Sequence, residues 1–336
     1  MSLNICPPSA HDVYNKIKLH FSPAIDAACD QIHKACEGMG TDEKTIVKVL
    51  GPVSPNDRAL IAYRYEELYK VKLRDLVKSE TSGDFNYLIQ LATFTLPQAE
   101  AYIVFHAMKG VGTSEQLMYP VVLGRTNEEI AVLKKTFYEM YEQDLSVMAN
   151  DDLSGEFHQI ITTALQGVQV EYKPSFHTSA KAEEDAEKIY KAGEGKWGTD
   201  EGAFAKTLLQ SPPKHIRKIE EAYHAKYKHG LVHAIESEFS GTSATALSFH
   251  VRLALDPWAT LAELFSNAMD GIGTDESALS AAVIRYHPYL RKIKHSFENT
   301  NKISLRERVH SEAVGEYQDL ILKIIDAPMS IGEYFE

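Results

Sequence analysis

The stretch "EGMGTDEKTIVKVL", residues 37–50, decides the fold prediction because the chain repeats it three more times. Two glycines flank one residue, a threonine and two acids follow, and apolar residues with helical spacing come next. A glycine-rich loop that opens a helix often binds phosphate, but this helix start lacks the Lys that a nucleotide-binding loop carries. The turn therefore needs another explanation.

The loop recurs as MKGVGTSEQLM from Met108, GKWGTDEGAF from Gly195 and MDGIGTDESAL from Met269. The threonines of the four copies are 72, 86 and 75 residues apart, which is a longer period than that of the common solenoid repeats. We predict four units, with the extra length of the second gap in a polar linker that contains Pro174. The predicted boundaries are an N-terminal segment 1–21, repeats 22–93 and 94–167, a linker 168–180, repeats 181–254 and 255–327, and a C-terminal tail 328–336.

A second motif follows each loop and places an acid three residues before a glycine. The four copies read SETSGDF, DDLSGEF, SEFSGTS and SEAVGEY. The acid lies 40 residues after the last loop glycine in the first three units and 39 residues after it in the fourth. Such a constant spacing indicates that loop and acid meet in the folded unit. The four acids are Glu80, Asp152, Glu238 and Glu312.

Helical periodicity dominates the sequence between these motifs. Apolar residues from Ile25 to Ala35 recur every three or four positions before the first loop. Ser54 is predicted to cap a helix with Pro55 in its first position, and Thr41 to cap the helix after the first loop. We count about five helices per unit and find no sustained alternation typical of strands. The predicted fold class is all-α.

The composition narrows the function. There are 35 Lys and Arg against 47 Asp and Glu, a formal charge of −12, which argues against nucleic-acid binding. An acidic protein can approach an anionic membrane only if cations lie between them. There is no apolar run long enough to span a bilayer, no secretory signal or lipidation motif, and no disulfide framework among the three cysteines. We expect a cytoplasmic protein and buried thiols at Cys29 and Cys36.

The loop and the distant acid together offer oxygen ligands. Glycine permits positive φ, so a Gly-x-Gly turn can point successive carbonyl oxygens outward. Calcium takes about 6–8 oxygens, and three carbonyls with a bidentate carboxylate supply roughly five, which leaves about two positions for water or a phosphate oxygen. Magnesium demands a tighter octahedron, and no His or Cys recurs with the loop to favour zinc. The EF-hand pattern is absent.

These motifs resemble those of the annexin family over nearly the whole chain, from about residue 22 to residue 327. The resemblance implies a curved disc of four five-helix repeats, with calcium loops on the convex face. It also implies calcium-dependent binding to acidic phospholipid, peripherally at the inner face of membranes. Carried over by position, the implied Ca²⁺ ligands are the carbonyls of Cys36, Gly38 and Gly40 with Glu80; of Met108, Gly110 and Gly112 with Asp152; of Gly193, Lys196 and Gly198 with Glu238; and of Met269, Gly271 and Gly273 with Glu312.

The resemblance also implies weaker second calcium positions near the acid that follows each loop threonine. These acids equally suit the positive N-terminal end of a helix. Trp197 lies inside the third loop, where it is either a core residue or an exposed tip that enters the lipid headgroup layer. The four acids concerned are Glu43, Glu115, Glu201 and Glu276.

Two alternatives remain open. His229 and His233 are four residues apart, a spacing that can bind zinc in an enzyme, but there is no Glu as in H-E-x-x-H. Ordinary surface or core histidines fit this pattern better, and no other catalytic fingerprint occurs. The second alternative is a cytoskeleton-associated scaffold, because the alpha-giardins of protists resemble annexins. Retention of all four acids favours calcium binding over a purely structural role.

Overall fold

The computed structural model describes residues 21–38, 40–109, 112–195, 198–271 and 273–328. These residues form 20 α-helices and one short 3-10 helix, His287–Tyr289, and contain no strand. The all-α prediction and the five helices per repeat are thereby confirmed. Among the helices described, none combines the length and the apolar content needed to cross a bilayer.

The helices follow the repeats in chain order. The first repeat has α1 (Pro23–Ala35), α2 (Glu43–Leu50), α3 (Pro55–Tyr69), α4 (Leu73–Glu80) and α5 (Gly83–Ala92). The second has α6 (Leu96–Met108), α7 (Glu115–Val122), α8 (Asn127–Tyr141), α9 (Leu145–Asp152) and α10 (Gly155–Leu165). The third has α11 (Ser179–Ala192), α12 (Glu201–Gln210), α13 (Pro213–Tyr227), α14 (Leu231–Glu238) and α15 (Gly241–Leu255). The fourth has α16 (Pro257–Asn267), α17 (Glu276–Arg285), α18 (Leu290–Asn301), α19 (Leu305–Glu312) and α20 (Gly315–Asp326).

The described residues divide into two compact units. Residues 103–260 form the central unit, which holds most of the second and third repeats. Residues 21–102 and 261–328 form the terminal unit, which holds the first repeat and most of the fourth. The segment predicted as a linker, 168–180, connects α10 to α11 inside the central unit.

Both units pair their repeats in the same way. In the central unit α10 packs against α12 and α15, and α7 packs against α15. In the terminal unit α5 packs against α17 and α20, and α2 packs against α20. The second and fifth helices of each repeat therefore bury their apolar faces against the same helices of the paired repeat. The first and fourth helices, which flank the loop and carry the acid, lie outside these pairings.

The helix starts test two local predictions. Ser54 caps α3 as predicted: its hydroxyl accepts a hydrogen bond from the backbone N–H of Asp57 at 3.1 Å. The prediction that Thr41 caps α2 is wrong. Asp42 is the N-cap, and its carboxylate accepts from the backbone N–H of Thr45 at 3.1 Å. The Thr41 hydroxyl has another partner, described below.

A buried histidine on α15 makes the central unit sensitive to acid. Burial lowers the pKa of His250 to about 4. The unprotonated Nδ1 accepts a hydrogen bond from the backbone N–H of Gly124 at 3.2 Å. Protonation of Nδ1 would remove this acceptor and place a charge in the core, so the folded state keeps the imidazole neutral.

We predict that acid destabilises the fold partly through His250. Its folded-state pKa lies below the unfolded value of about 6.5, so between these values only the unfolded chain takes up the proton, and the free energy of unfolding falls as the pH falls. This residue should account for about 2 kcal/mol of the loss between pH 7 and pH 5. Urea denaturation of His250→Gln should show a correspondingly smaller loss than the wild type. The exposed His310→Gln is the control, and equal losses in all three proteins would contradict the prediction.

Candidate functional site

Each predicted loop connects the first helix of its repeat to the second and is closed by one backbone hydrogen bond. The bond runs from the residue before the second helix back to an alanine at the end of the first. The third loop spans one residue more than the others between these two points, as its sequence predicts. The bonds are Asp42 to Ala35 (2.8 Å), Ser114 to Ala107 (2.8 Å), Asp200 to Ala192 (2.7 Å) and Asp275 to Ala268 (2.8 Å).

The loop glycines adopt positive φ, which explains why glycine is required there. Gly38 and Gly40 have φ of 94° and 87°, and a Cβ at either position would meet no atom within 4 Å. Backbone conformation, and not lack of space, therefore selects glycine. The same region is adopted by Gly112 (84°), Gly198 (80°), Gly271 (111°) and Gly273 (89°). The predicted ligands Gly110 and Lys196 lie outside the described residues, as does Trp197.

The four predicted acids occupy equivalent positions. Each is the last residue of the fourth helix in its repeat, namely α4, α9, α14 and α19. The glycine three residues later opens the fifth helix. A helix C-terminus carries partial negative charge, so each carboxylate stands where a negative charge is unfavourable unless a donor or cation is near.

In the first repeat a threonine joins the loop to the acid. The Thr41 hydroxyl lies 2.7 Å from the Glu80 Oε2 and 3.1 Å from the Glu80 carbonyl oxygen. Cys36, at the other end of the loop, lies close enough to respond to the same carboxylate. Burial first, and then the negative charge of Glu80, raises the pKa of the Cys36 thiol to about 11. The predicted meeting of loop and acid is present here.

The second and third repeats contain the same connection. The Thr113 hydroxyl donates a hydrogen bond to Asp152 Oδ2, and the Thr199 hydroxyl donates one to Glu238 Oε2. In the third repeat the start of the loop also packs against the acid, because a Cβ on Gly193 would lie 2.9 Å from the Glu238 Cγ.

The fourth repeat is built differently, around an arginine on α19. Arg308 Nη1 lies 3.1 Å from Glu312 Oε1. Its Nη2 donates to the Met269 carbonyl oxygen at 2.8 Å and lies 3.3 Å from Asp270 Oδ1. One guanidinium therefore bridges the acid and a loop carbonyl that the resemblance assigns to calcium. The Thr274 hydroxyl is buried and has no hydrogen-bond partner among the described residues.

Sequence reasoning missed Arg308, although the sequence contained a signal. The arginine stands four residues before the acid. The matching positions in the other repeats are Leu76, Met148 and Ala234. An Arg four residues from a Glu on a helix resembles an ordinary surface pair, so only the contact with Met269 distinguishes it.

The acids assigned to weaker second positions are the first residues of the second helices, α2, α7, α12 and α17. Their position fits the alternative in which they interact with the positive end of the helix. Whether they also bind an ion stays a prediction.

Comparison with known proteins follows from this geometry. The family description "Annexin" matches four segments, residues 26–91, 99–164, 184–248 and 260–324. Each segment contains one loop and its acid. The chain belongs to the annexin family. Annexins generally bind phospholipid membranes in a calcium-dependent manner and are generally not enzymes.

Individual annexins match over most of their length. Annexin A13 of Mus musculus is 33% identical over 302 residues, covering 89% of this chain and 94% of that protein. The structure of annexin III superposes with a TM-score of 0.83 at 29% identity, covering 93% of this chain and 96% of that one. The calcium-bound structure of alpha-14 giardin has a TM-score of 0.75 at 21% identity, covering 90% and 100%, and shares the fold.

We predict that the threonine connection stabilises the first repeat but not the fourth. Thr41→Val removes a donor to the Glu80 carboxylate and should lower the free energy of unfolding by about 1 kcal/mol. Thr274→Val removes a buried hydroxyl without a partner in the described structure, and it should be neutral or slightly stabilising. Chemical denaturation of the two variants in calcium-free buffer makes the comparison. A larger loss for Thr274→Val than for Thr41→Val would refute this assignment.

Proposed function

We propose that this annexin binds acidic phospholipid membranes through calcium held in three of its four loops. The observation that carries the proposal is the connection of a Gly-rich loop to the carboxylate of Glu80, Asp152 or Glu238. The protein would then act as a peripheral, non-enzymatic binder at the inner face of membranes. The family's general property supports the calcium requirement.

The donor chemistry of these loops fits calcium. The groups are all oxygen: outward-turned carbonyls of a positive-φ turn and one carboxylate, the ligand class that hard cations prefer. The carboxylate also stands at a helix C-terminus, where a nearby positive charge relieves its unfavourable interaction with the helix dipole. The groups that would hold the ions are the carbonyls of Cys36, Gly38 and Gly40 with Glu80; Met108, Gly110 and Gly112 with Asp152; and Gly193, Lys196 and Gly198 with Glu238.

The function follows from what these ligands leave open. A bound calcium ion supplies coordination positions that a lipid phosphate oxygen can take. Lipid must then raise calcium affinity by the same factor by which calcium raises lipid affinity. Several loops that bind one membrane act together, so a modest affinity at each site yields firm attachment.

Our proposal treats the fourth loop as already occupied by the protein's own cation. The Arg308 guanidinium contacts the Met269 carbonyl and the carboxylates of Glu312 and Asp270. Arginine stays protonated at any physiological pH, and its planar fork can donate to several oxygens at once. A calcium ion in this loop would have to displace it against two like charges in close proximity. We therefore expect three strong calcium sites per chain.

The membrane proposal predicts calcium-dependent pelleting with vesicles of phosphatidylserine and phosphatidylcholine. Glu80→Gln, Asp152→Asn and Glu238→Gln should each raise the calcium concentration for half-maximal pelleting, by at least the roughly tenfold seen for lost metal-site contacts. Glu187→Gln, a surface acid paired with Lys191 and Lys226, is the matched control and should behave as the wild type.

Two outcomes would overturn this proposal. Equal pelleting in calcium and in EGTA would remove the calcium requirement. Pelleting with polymerised actin or microtubules in the absence of lipid, without any vesicle binding, would favour a cytoskeletal scaffold instead.

The arginine proposal predicts calcium stoichiometry by calorimetry. The wild type should bind three strong calcium ions, Arg308→Ala should bind four, and the double variant Arg308→Ala with Glu312→Gln should bind three again. Arg306→Ala, which removes a neighbouring surface arginine paired with Asp326, should leave the number at three. Four strong ions in the wild type, with one lost on Glu312→Gln, would contradict an arginine-filled loop.

A further inference from the structure

A second cluster of metal-ligating groups lies in the central unit, apart from the carboxylate that the third loop uses. Glu194 follows Gly193 in the loop after α11. His229 lies in the turn between α13 and α14, and His233 is in the first turn of α14. One ligand atom from each of these three residues lies within 4.8 Å of the other two.

The cluster is partly preorganised. His229 Nε2 lies 2.9 Å from Glu194 Oε2, and the Tyr223 hydroxyl donates to the same oxygen at 2.6 Å. The rings of His229 and His233 face each other with centroids 4.5 Å apart. The side chains of Glu194 and His229 are 19% and 27% exposed, whereas His233 is at the surface, so an ion could enter from solvent.

We propose that Glu194, His229 and His233 bind a zinc ion. Two imidazoles and one carboxylate form a ligand set that zinc prefers and that calcium, which takes oxygen ligands, does not. Three protein ligands leave the fourth tetrahedral position to water. Tyr223 would hold the carboxylate from behind, as second-shell donors do in zinc sites.

A hydrogen-bond network without metal accounts for only part of this arrangement. It explains why Glu194 approaches His229 and Tyr223. It does not explain why His233, from another turn of the chain, brings a ring nitrogen to the same place. The sequence suggested a zinc spacing for His229 and His233 but lacked a nearby acid; the structure supplies it from Glu194, 35 residues before His229.

The proposed zinc site would act on the third loop. Glu194 is adjacent to Gly193, and α14 carries His233 near its start and Glu238 at its end. Zinc would restrain both the loop and the helix that the calcium proposal uses. Because coupling between two ligands is reciprocal, zinc and calcium would change each other's affinity by one common factor.

The test is zinc titration of the full-length protein by calorimetry, in buffer freed of metals by a chelating resin. The wild type should bind one zinc ion. His233→Ala and Glu194→Gln should each weaken binding by tenfold or more. His224→Ala, an exposed histidine of α13 outside the cluster, is the matched control and should bind as the wild type. Glu238→Gln should also retain zinc, which separates this site from the calcium loop.

Cobalt substitution gives an independent readout, because tetrahedral Co²⁺ with nitrogen and oxygen ligands absorbs visible light. The band should appear in the wild type and in His224→Ala and disappear in His233→Ala. No zinc binding by the wild type, equal binding by His233→Ala and His224→Ala, or loss of zinc in Glu238→Gln alone would each overturn the proposal. None of these outcomes depends on whether the protein binds membranes.

Discussion

The hydrogen bond from a loop threonine to a carboxylate 39 residues away is the interaction around which each of the first three loops is organised. The carboxylate ends a helix, where the backbone dipole disfavours a negative charge, and the hydroxyl is the donor that stabilises it there. The same bond fixes the loop relative to α4, α9 or α14. A side chain that stabilises an awkwardly placed charge thus also positions the groups that would receive a cation.

The sequence predicted the repeat number, the helical class and the pairing of loop with acid. These features are written in local spacing: apolar residues every three or four positions, glycines where φ must be positive, and a constant interval between Gly40 and Glu80. The assignment of Thr41 as a helix cap failed because its hydroxyl can serve one geometry at a time. Asp42, one residue closer to the helix, caps it and leaves Thr41 to reach Glu80.

Contacts between distant segments were beyond this reasoning. Arg308 and Glu312 look like a common intrahelical pair, and the contact with Met269 depends on how α19 lies against the loop. The buried pair of Arg285 and Glu100, 2.7 Å apart in the terminal unit, likewise joins residues that no periodicity relates. Glu194 meets His229 for the same reason. In each case packing of helices, and not local pattern, brings the charged groups together.

The arginine in the fourth repeat has a consequence for the electrostatics of attachment. Three divalent ions would add six positive charges to a formal −12, so the loaded chain would keep about −6. Bulk charge would therefore oppose an anionic lipid surface even at saturation. Because salt screens charges beyond about 8 Å, this residual repulsion fades with distance, whereas an ion in direct contact with a phosphate is little affected. Adhesion would then be a short-range property of a few atoms, acting against the net field of the molecule.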